Sequence, residues 1–278
     1  MGQPMIPSVY VLIWQTFGFR PSKKCLRYMV SSDGKNEADM KGHLRCIYAK
    51  ANFISGKFTK ISDCNCYNHP ALMEAITDPR NMSMFVNRPA LGVFPNSEYP
   101  NQLEKTLLSV APPGMSRVQT MACGACSVEN ATKQAFIWKK KIERKGASVT
   151  EEELSSCMIN QSPGCPPYSI LSFHGGFHGR TYGALSCTHS KEIHKLDLPA
   201  FDWPIAPFPR LKYPLNSHTA DNEAEEMRCL GEIRKIIAEY NSRGRNVAGL
   251  IVEPIQAEGG DYHASKEFFQ QLQSLCKE

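Results

Sequence analysis

From about Ala71 onward, segments with apolar residues at helical spacing alternate with short uncharged runs, and that alternation decides the fold class. Asn222 to Tyr240 sets Ala224, Met227, Leu230, Ile233, Ile237 and Tyr240 on one helical face, which has to be buried against a core. Val247 to Val252 follows with no charged residue, the pattern of a strand covered on both faces. Ala264 to the end reads as a helix with Ser265 as its cap. Upstream, Leu103 to Val110 reads as a helix stopped by Pro112-Pro113-Gly114, Val118 to Ala122 as a strand, Glu129 to Arg144 as a helix and Ser169 to Phe173 as a short strand. Strand and helix in turn predict an α/β fold, a mostly parallel sheet flanked by helices. Residues 1 to about 65 lack this order, and residues 1 to 60 are expected to pack poorly.

Composition narrows the class. A chain of 278 residues with 42% hydrophobic and 21% charged residues can bury a sizeable core. The net charge of +5 is scattered, apart from Lys139, Lys140, Lys141, Arg144 and Lys145. These sit where the negative end of a helix dipole favours cations, so they read as a solvated helix terminus and no nucleic-acid partner is expected. Val9 to Trp14 is too short to span a bilayer, so no membrane partner is expected either. Residues 1 to 32 contain no acid but carry Arg20, Lys23, Lys24 and Arg27, a charge pattern like a mitochondrial transit segment, against which stands the bulky Tyr10 to Trp14 stretch. The eleven cysteines are irregularly spaced, which argues for free thiols in a reducing compartment.

Three places gather residues that carry chemistry. Ser172 to Thr181 puts Phe177, His178 and Arg180 in one glycine-lined turn: a flat ring to stack, and a forked donor suited to a carboxylate. The same segment also reads as an ordinary strand-end loop. Cys123-Gly-Ala-Cys126 lies between a strand and a helix, where free backbone N–H groups suit a phosphate. Its two thiols are open to three readings: buried free thiols, a redox dithiol, or half of a metal site that a second chain would have to complete. Glu253-Pro-Ile-Gln-Ala-Glu258-Gly-Gly follows the buried strand, the place where open α/β sheets bind ligands, although acids there can also simply face solvent. His69, His189, His194, His218 and His263 are assigned no chemistry.

Taken together, Ser83-Met-Phe-Val-Asn-Arg-Pro-Ala-Leu-Gly92, Met121-Ala-Cys-Gly-Ala-Cys-Ser127, Glu129-Asn-Ala131, Cys157-Met-Ile-Asn-Gln161, Phe177-His-Gly-Arg-Thr181, Phe201-Asp-Trp-Pro-Ile-Ala-Pro-Phe-Pro-Arg-Leu-Lys-Tyr-Pro214 and Val252-Glu-Pro-Ile-Gln256 resemble the class III pyridoxal-phosphate aminotransferases, specifically their mitochondrial 4-aminobutyrate group. The likeness covers roughly residues 67 to 278 and leaves residues 1 to 66 as a divergent region. It implies the large domain of a fold-type-I pyridoxal-phosphate transferase, in a homodimer of the mitochondrial matrix, moving an amino group from 4-aminobutyrate to 2-oxoglutarate.

By that resemblance Gly124 and Ala125 bind the cofactor phosphate, Phe177 stacks on the pyridine ring with His178 beside it, and Glu253 supports the pocket. Arg180 would hold the substrate carboxylate, and Glu258 would be the acid that pairs with a second arginine until 2-oxoglutarate displaces it. Cys123 and Cys126 match positions that hold a [2Fe-2S] cluster shared across the dimer. The Schiff-base lysine, the pyridinium aspartate and the arginine answering Glu258 have no counterpart in this sequence. The expectation is therefore a truncated domain, inactive alone; the alternative is a non-catalytic isoform acting as a binding or dimerisation module.

Overall fold

The computed structural model describes residues 70–86, 97–111, 115 and 117–277. The basic segment through Arg27, His69 and Pro112-Pro113-Gly114 lie outside the described residues. These divide after Thr120 into two units. The first holds α1 (Pro70–Thr77), α2 (Pro79–Val86), α3 (Tyr99–Thr106) and a 3₁₀ turn at Leu108–Val110. Each of the three helices has a proline in its first turn, where a missing N–H costs nothing and the fixed φ suits the helix. The helix expected over Leu103 to Val110 is thus shared between α3 and the 3₁₀ turn. The strand expected over Val118 to Ala122 does not form: these residues take no ladder hydrogen bonds among the described residues. An apolar run becomes a strand only where a neighbour offers its backbone.

The second unit runs α4 (Gly124–Arg144), α5 (Glu151–Cys157), β1 (Ser169–Phe173), α6 (Tyr182–Ser186), β2 (Ile205–Ala206), α7 (Thr219–Ser242), β3 (Val247–Leu250), β4 (Ile255–Gln256), β5 (Tyr262–His263) and α8 (Lys266–Leu275). The wholly buried β1 is central, with β2 and β3 parallel to it on either side. The last two strands, β4 and β5, form a separate antiparallel pair. Leu171 and Phe173 join Cys229, Leu230 and Ile233 of α7 and Phe268, Leu272 and Leu275 of α8 in one buried cluster. On the opposite face Ile170 approaches Gly249, which also lies against Ala135 of α4; a β-carbon at Gly249 would sit 3.3 Å from Ile170 Cδ1. Helices therefore cover both faces of the parallel sheet.

Two helices depart from their expected limits. The start of α4 lies at Gly124, five residues before Glu129, because extended Cys123 caps it with a sulfur that accepts the Cys126 N–H at 3.4 Å. Its basic end is partly neutralised by Glu153, which lies 3.3 Å from Lys140 and 3.1 Å from Arg144 while closing the capping box of α5 with Thr150.

On α7, Leu230 and Ile233 are buried as expected, but Ala224 and Met227 are exposed and Asn222 and Glu226 are buried in their place. Hydrogen bonds explain the exchange. Asn222 accepts from the Lys212 N–H at 2.7 Å and donates to its carbonyl at 3.0 Å, while Glu226 accepts from the N–H and the hydroxyl of Ser265, each at 2.6 Å. Glu226 thereby orients the cap of α8, since the Ser265 hydroxyl oxygen accepts from the Phe268 N–H at 3.0 Å. Glu226→Ala leaves two donors without an acceptor, and urea unfolding is expected to show a loss of about 2 kcal/mol.

Candidate functional site

The carboxyl ends of β1 and β3 open toward the start of α4, and the loops leaving them are stitched together there. After β1 the chain turns at Gly175 and Gly179, both in the left-handed region, with φ +79° and +118°. Gly179 is pressed against the first turn of α4: a β-carbon there would lie 2.5 Å from Ala125 Cβ, so only glycine fits. Behind it, the Thr188 hydroxyl accepts the His178 N–H at 2.9 Å and donates to the Gly179 carbonyl at 2.8 Å. Glu129 on α4 reaches across to the start of α6, accepting from the Gly183 N–H at 2.6 Å.

The loop after β3 meets the same turn. Glu253 is 1% exposed; its Oε2 accepts from the Phe177 N–H at 2.8 Å, while its Oε1 has no partner among the described residues. Burial pushes this carboxyl up to about 7, against the smaller opposing effect of the Phe177 hydrogen bond. Gln256 fixes the loop again, donating to the His174 carbonyl at 2.8 Å. Beyond it Glu258 faces Lys191 Nζ at 2.6 Å and His194 Nε2 at 3.4 Å. The Lys191 hydrogen bond, then that of His194, hold Glu258 below the usual carboxylate range. The His194 ring also meets the half-buried Phe177 edge-on, with centroids 5.4 Å apart.

Of the residues singled out above, Gly124 and Ala125 lie at the N-terminus of α4, Phe177, His178 and Arg180 on the turn over it, and Glu253 and Glu258 on the adjoining loop. Phe177 and Glu253 are in direct contact, and Gly179 brings their turn onto Ala125. Arg180 is exposed, with no carboxylate partner among the described residues. His178 is enclosed, neither ring nitrogen has a partner among the described residues, and burial brings its pKa down to about 3, so the ring is neutral. Cys123 and Cys126 stand with their sulfurs 3.4 Å apart at the helix start. Contact with Cys123 pushes the Cys126 thiol up, contrary to the lowering that a helix N-terminus alone would give.

Sequence reasoning missed Glu129, Thr188, Lys191 and His194. Each acts across the fold on a group distant in sequence or through a backbone atom, and no local pattern marks such a role. His189 and His194, assigned no chemistry above, make structural contacts here: His194 contacts Glu258, and His189 Nε2 lies 2.9 Å from the Ser172 hydroxyl at the end of β1.

A glycine-lined turn on a helix N-terminus, with buried polar atoms left unpartnered around it, suits a phosphorylated ligand with a flat ring. The sequence matches the family described as Aminotransferase class-III over residues 60–278. The chain belongs to the class-III aminotransferases. Members of this family use pyridoxal phosphate, and the parallel sheet between helices is the fold-type-I arrangement. The mitochondrial 4-aminobutyrate aminotransferases of Mus musculus and Homo sapiens are each 58% identical over 211 residues, covering 76% of this chain and 42% of theirs. The 4-aminobutyrate aminotransferase of Dictyostelium discoideum is 51% identical over the same length. The chain thus spans less than half the length of these relatives. Among solved structures, the lysine aminotransferase from M. tuberculosis in its internal aldimine form superposes with a TM-score of 0.54 at 28% identity, over 73% of this chain and 43% of that one.

The raised Glu253 carboxyl gives a pH signature. A group whose folded pKa lies above its usual value of 4.5 contributes stability below that value and loses it as pH rises through about 7. Unfolding midpoints of the unliganded chain are expected to fall between these limits, by up to about 3 kcal/mol in free energy, whereas Glu253→Gln flattens the profile. An unchanged profile in that variant would show that folding does not raise the Glu253 pKa.

Proposed function

We propose that these residues are the cofactor-gripping and carboxylate-binding part of a 4-aminobutyrate:2-oxoglutarate aminotransferase, working as a homodimer in the mitochondrial matrix. The observation that carries the reading is the seating of the Phe177–Arg180 turn on the first turn of α4, where Gly179 leaves no room for a β-carbon against Ala125. The choice of substrate is supported by the relatives from Mus musculus, Homo sapiens and Dictyostelium discoideum, each named for 4-aminobutyrate.

In this reading the free N–H groups of Gly124 and Ala125 hold the cofactor phosphate, aided by the helix dipole. Phe177 covers one face of the ring. Bound there, pyridoxal phosphate supplies an electron sink for the bonds broken at the substrate's amine-bearing carbon. Arg180 is exposed and therefore free to fork onto the carboxylate of 4-aminobutyrate, which sets the length at which its amine is presented. Glu253 fixes Phe177 through its backbone and keeps a proton near neutral pH. Glu258, held by Lys191, is the acid that distinguishes the one-carboxylate from the two-carboxylate substrate. Cys123 and Cys126 fit half of a cluster site. In this reading a partner subunit supplies the other two ligands of a [2Fe-2S] cluster.

No lysine in these 278 residues answers to the covalent attachment that the family uses. The purified chain is expected to bind pyridoxal phosphate weakly and reversibly, to leave no lysine adduct after borohydride reduction, and to turn over 4-aminobutyrate near background. Gly179→Ala should abolish cofactor binding in an absorbance titration, and Arg180→Ala should leave it intact. Robust turnover with a trapped lysine adduct, or unchanged binding in Gly179→Ala, overturns this reading.

A further inference from the structure

Lys195 belongs to neither the cofactor grip nor the carboxylate site, yet its ammonium meets both residues that back the Phe177–Arg180 turn. Its Nζ donates to the Thr188 carbonyl at 2.8 Å and lies 3.2 Å from His189 Nδ1. From Thr188 the hold passes straight to the turn: the hydroxyl of the same residue accepts the His178 N–H at 2.9 Å and donates to the Gly179 carbonyl at 2.8 Å. From His189 it passes by two routes. The ring Nε2 lies 2.9 Å from the Ser172 hydroxyl on β1, while the backbone N–H donates to the Gly176 carbonyl at 2.7 Å and the carbonyl accepts the Gly175 N–H at 3.2 Å. Thr188 and His189 are thus bonded along the loop from Gly175 to Gly179, and one side chain holds the pair. Burial lowers the Lys195 pKa, against a smaller opposing effect of the Cys187 thiol. An ammonium drawn partly out of water needs acceptors, and the Thr188 carbonyl and His189 Nδ1 supply them.

We propose that Lys195 is a positioning residue, which sets the Phe177–Arg180 turn through the Thr188 carbonyl and the His189 ring without touching substrate or cofactor. An ammonium has donors only, so the Nδ1 that faces it is an acceptor and the ring proton stays on Nε2, toward the Ser172 oxygen. Fixing the ring and the Thr188 carbonyl together fixes the peptide between them. That peptide carries the Thr188 hydroxyl, which spans the His178–Gly179 peptide. Removal of the ammonium leaves the carbonyl and Nδ1 without their donor, and the turn loses the backing that seats Gly179 on Ala125. The consequence for a bound cofactor rests on the aminotransferase reading above; the consequence for the turn does not.

The test compares the full chain with Lys195→Met, Lys195→Arg, Thr188→Val and the double variant Lys195→Met/Thr188→Val, each checked for folding by circular dichroism. Imidazole nitrogen NMR of the unmodified chain is expected to show His189 protonated at Nε2 and bare at Nδ1. In Lys195→Met that tautomer should be lost, exchange of the His178 amide should quicken about tenfold or more, and pyridoxal phosphate should bind about tenfold more weakly in an absorbance titration. Arginine also has donors only, so Lys195→Arg should recover the tautomer, the slow exchange and the binding. Thr188→Val should reproduce the losses in exchange and binding, and the double variant should be no worse than Thr188→Val, because both substitutions cut one path. A proton on His189 Nδ1 in the unmodified chain, unchanged His178 exchange in Lys195→Met, or losses that add in the double variant overturns the proposal. The first of these needs no variant and decides the matter should a substitution prevent folding. An unmodified chain that binds no pyridoxal phosphate sinks the aminotransferase reading, and the tautomer and exchange measurements then decide this proposal by themselves.

Discussion

The hydrogen bond from the Phe177 N–H to the buried Glu253 carboxyl is the contact on which the site depends. It joins the loop leaving β1 to the loop leaving β3, two segments separated by 76 residues. A carboxyl this deeply buried is tolerated because one oxygen is hydrogen-bonded and the group can keep its proton. With Phe177 pinned on one side and Gly179 seated on Ala125 on the other, the turn between them has little freedom. Its aromatic ring and the α4 N-terminus are then held in place before any ligand arrives, which lowers the ordering cost of binding.

Around this contact lies a belt of polar groups that fix backbone rather than meet ligand. Thr188 grips both sides of the His178–Gly179 peptide, Glu129 caps α6, and Gln256 ties down the His174 carbonyl. Lys195 donates to the Thr188 carbonyl at 2.8 Å and lies 3.2 Å from His189 Nδ1, whose other nitrogen faces Ser172. Burial keeps His189 neutral, with its pKa down to about 3, so the ammonium of Lys195 makes Nδ1 an acceptor and leaves the proton on Nε2 for the serine oxygen. These are short-range bonds in a poorly hydrated setting, where each is stronger than at the surface.

Much of the fold was legible because β1 and β3 are uncharged on both faces and Ser265 stands where a helix cap should. The failures share one cause. Val118 to Ala122 has strand-like composition but no pairing partner among the described residues, and α4 begins early because a thiol, outside the usual capping set, closes its first turn. On α7 the periodicity named Ala224 and Met227 as core, yet Asn222 and Glu226 went inside because Lys212 and Ser265 supply their hydrogen bonds.

The sequence by itself determined where residue types suited to chemistry stand along the chain: the glycines that let a turn approach closely, the arginine and phenylalanine on it, the paired cysteines, and the acids after a buried strand. These follow from local rules of backbone freedom, periodicity and side-chain chemistry. Only the tertiary structure decided which of them touch, that Glu253 is buried and protonated near neutrality while Glu258, five residues on, is ionised against Lys191. Two carboxylates with the same intrinsic acidity were separated by burial and by a cation 67 residues away, and both are properties of the folded chain.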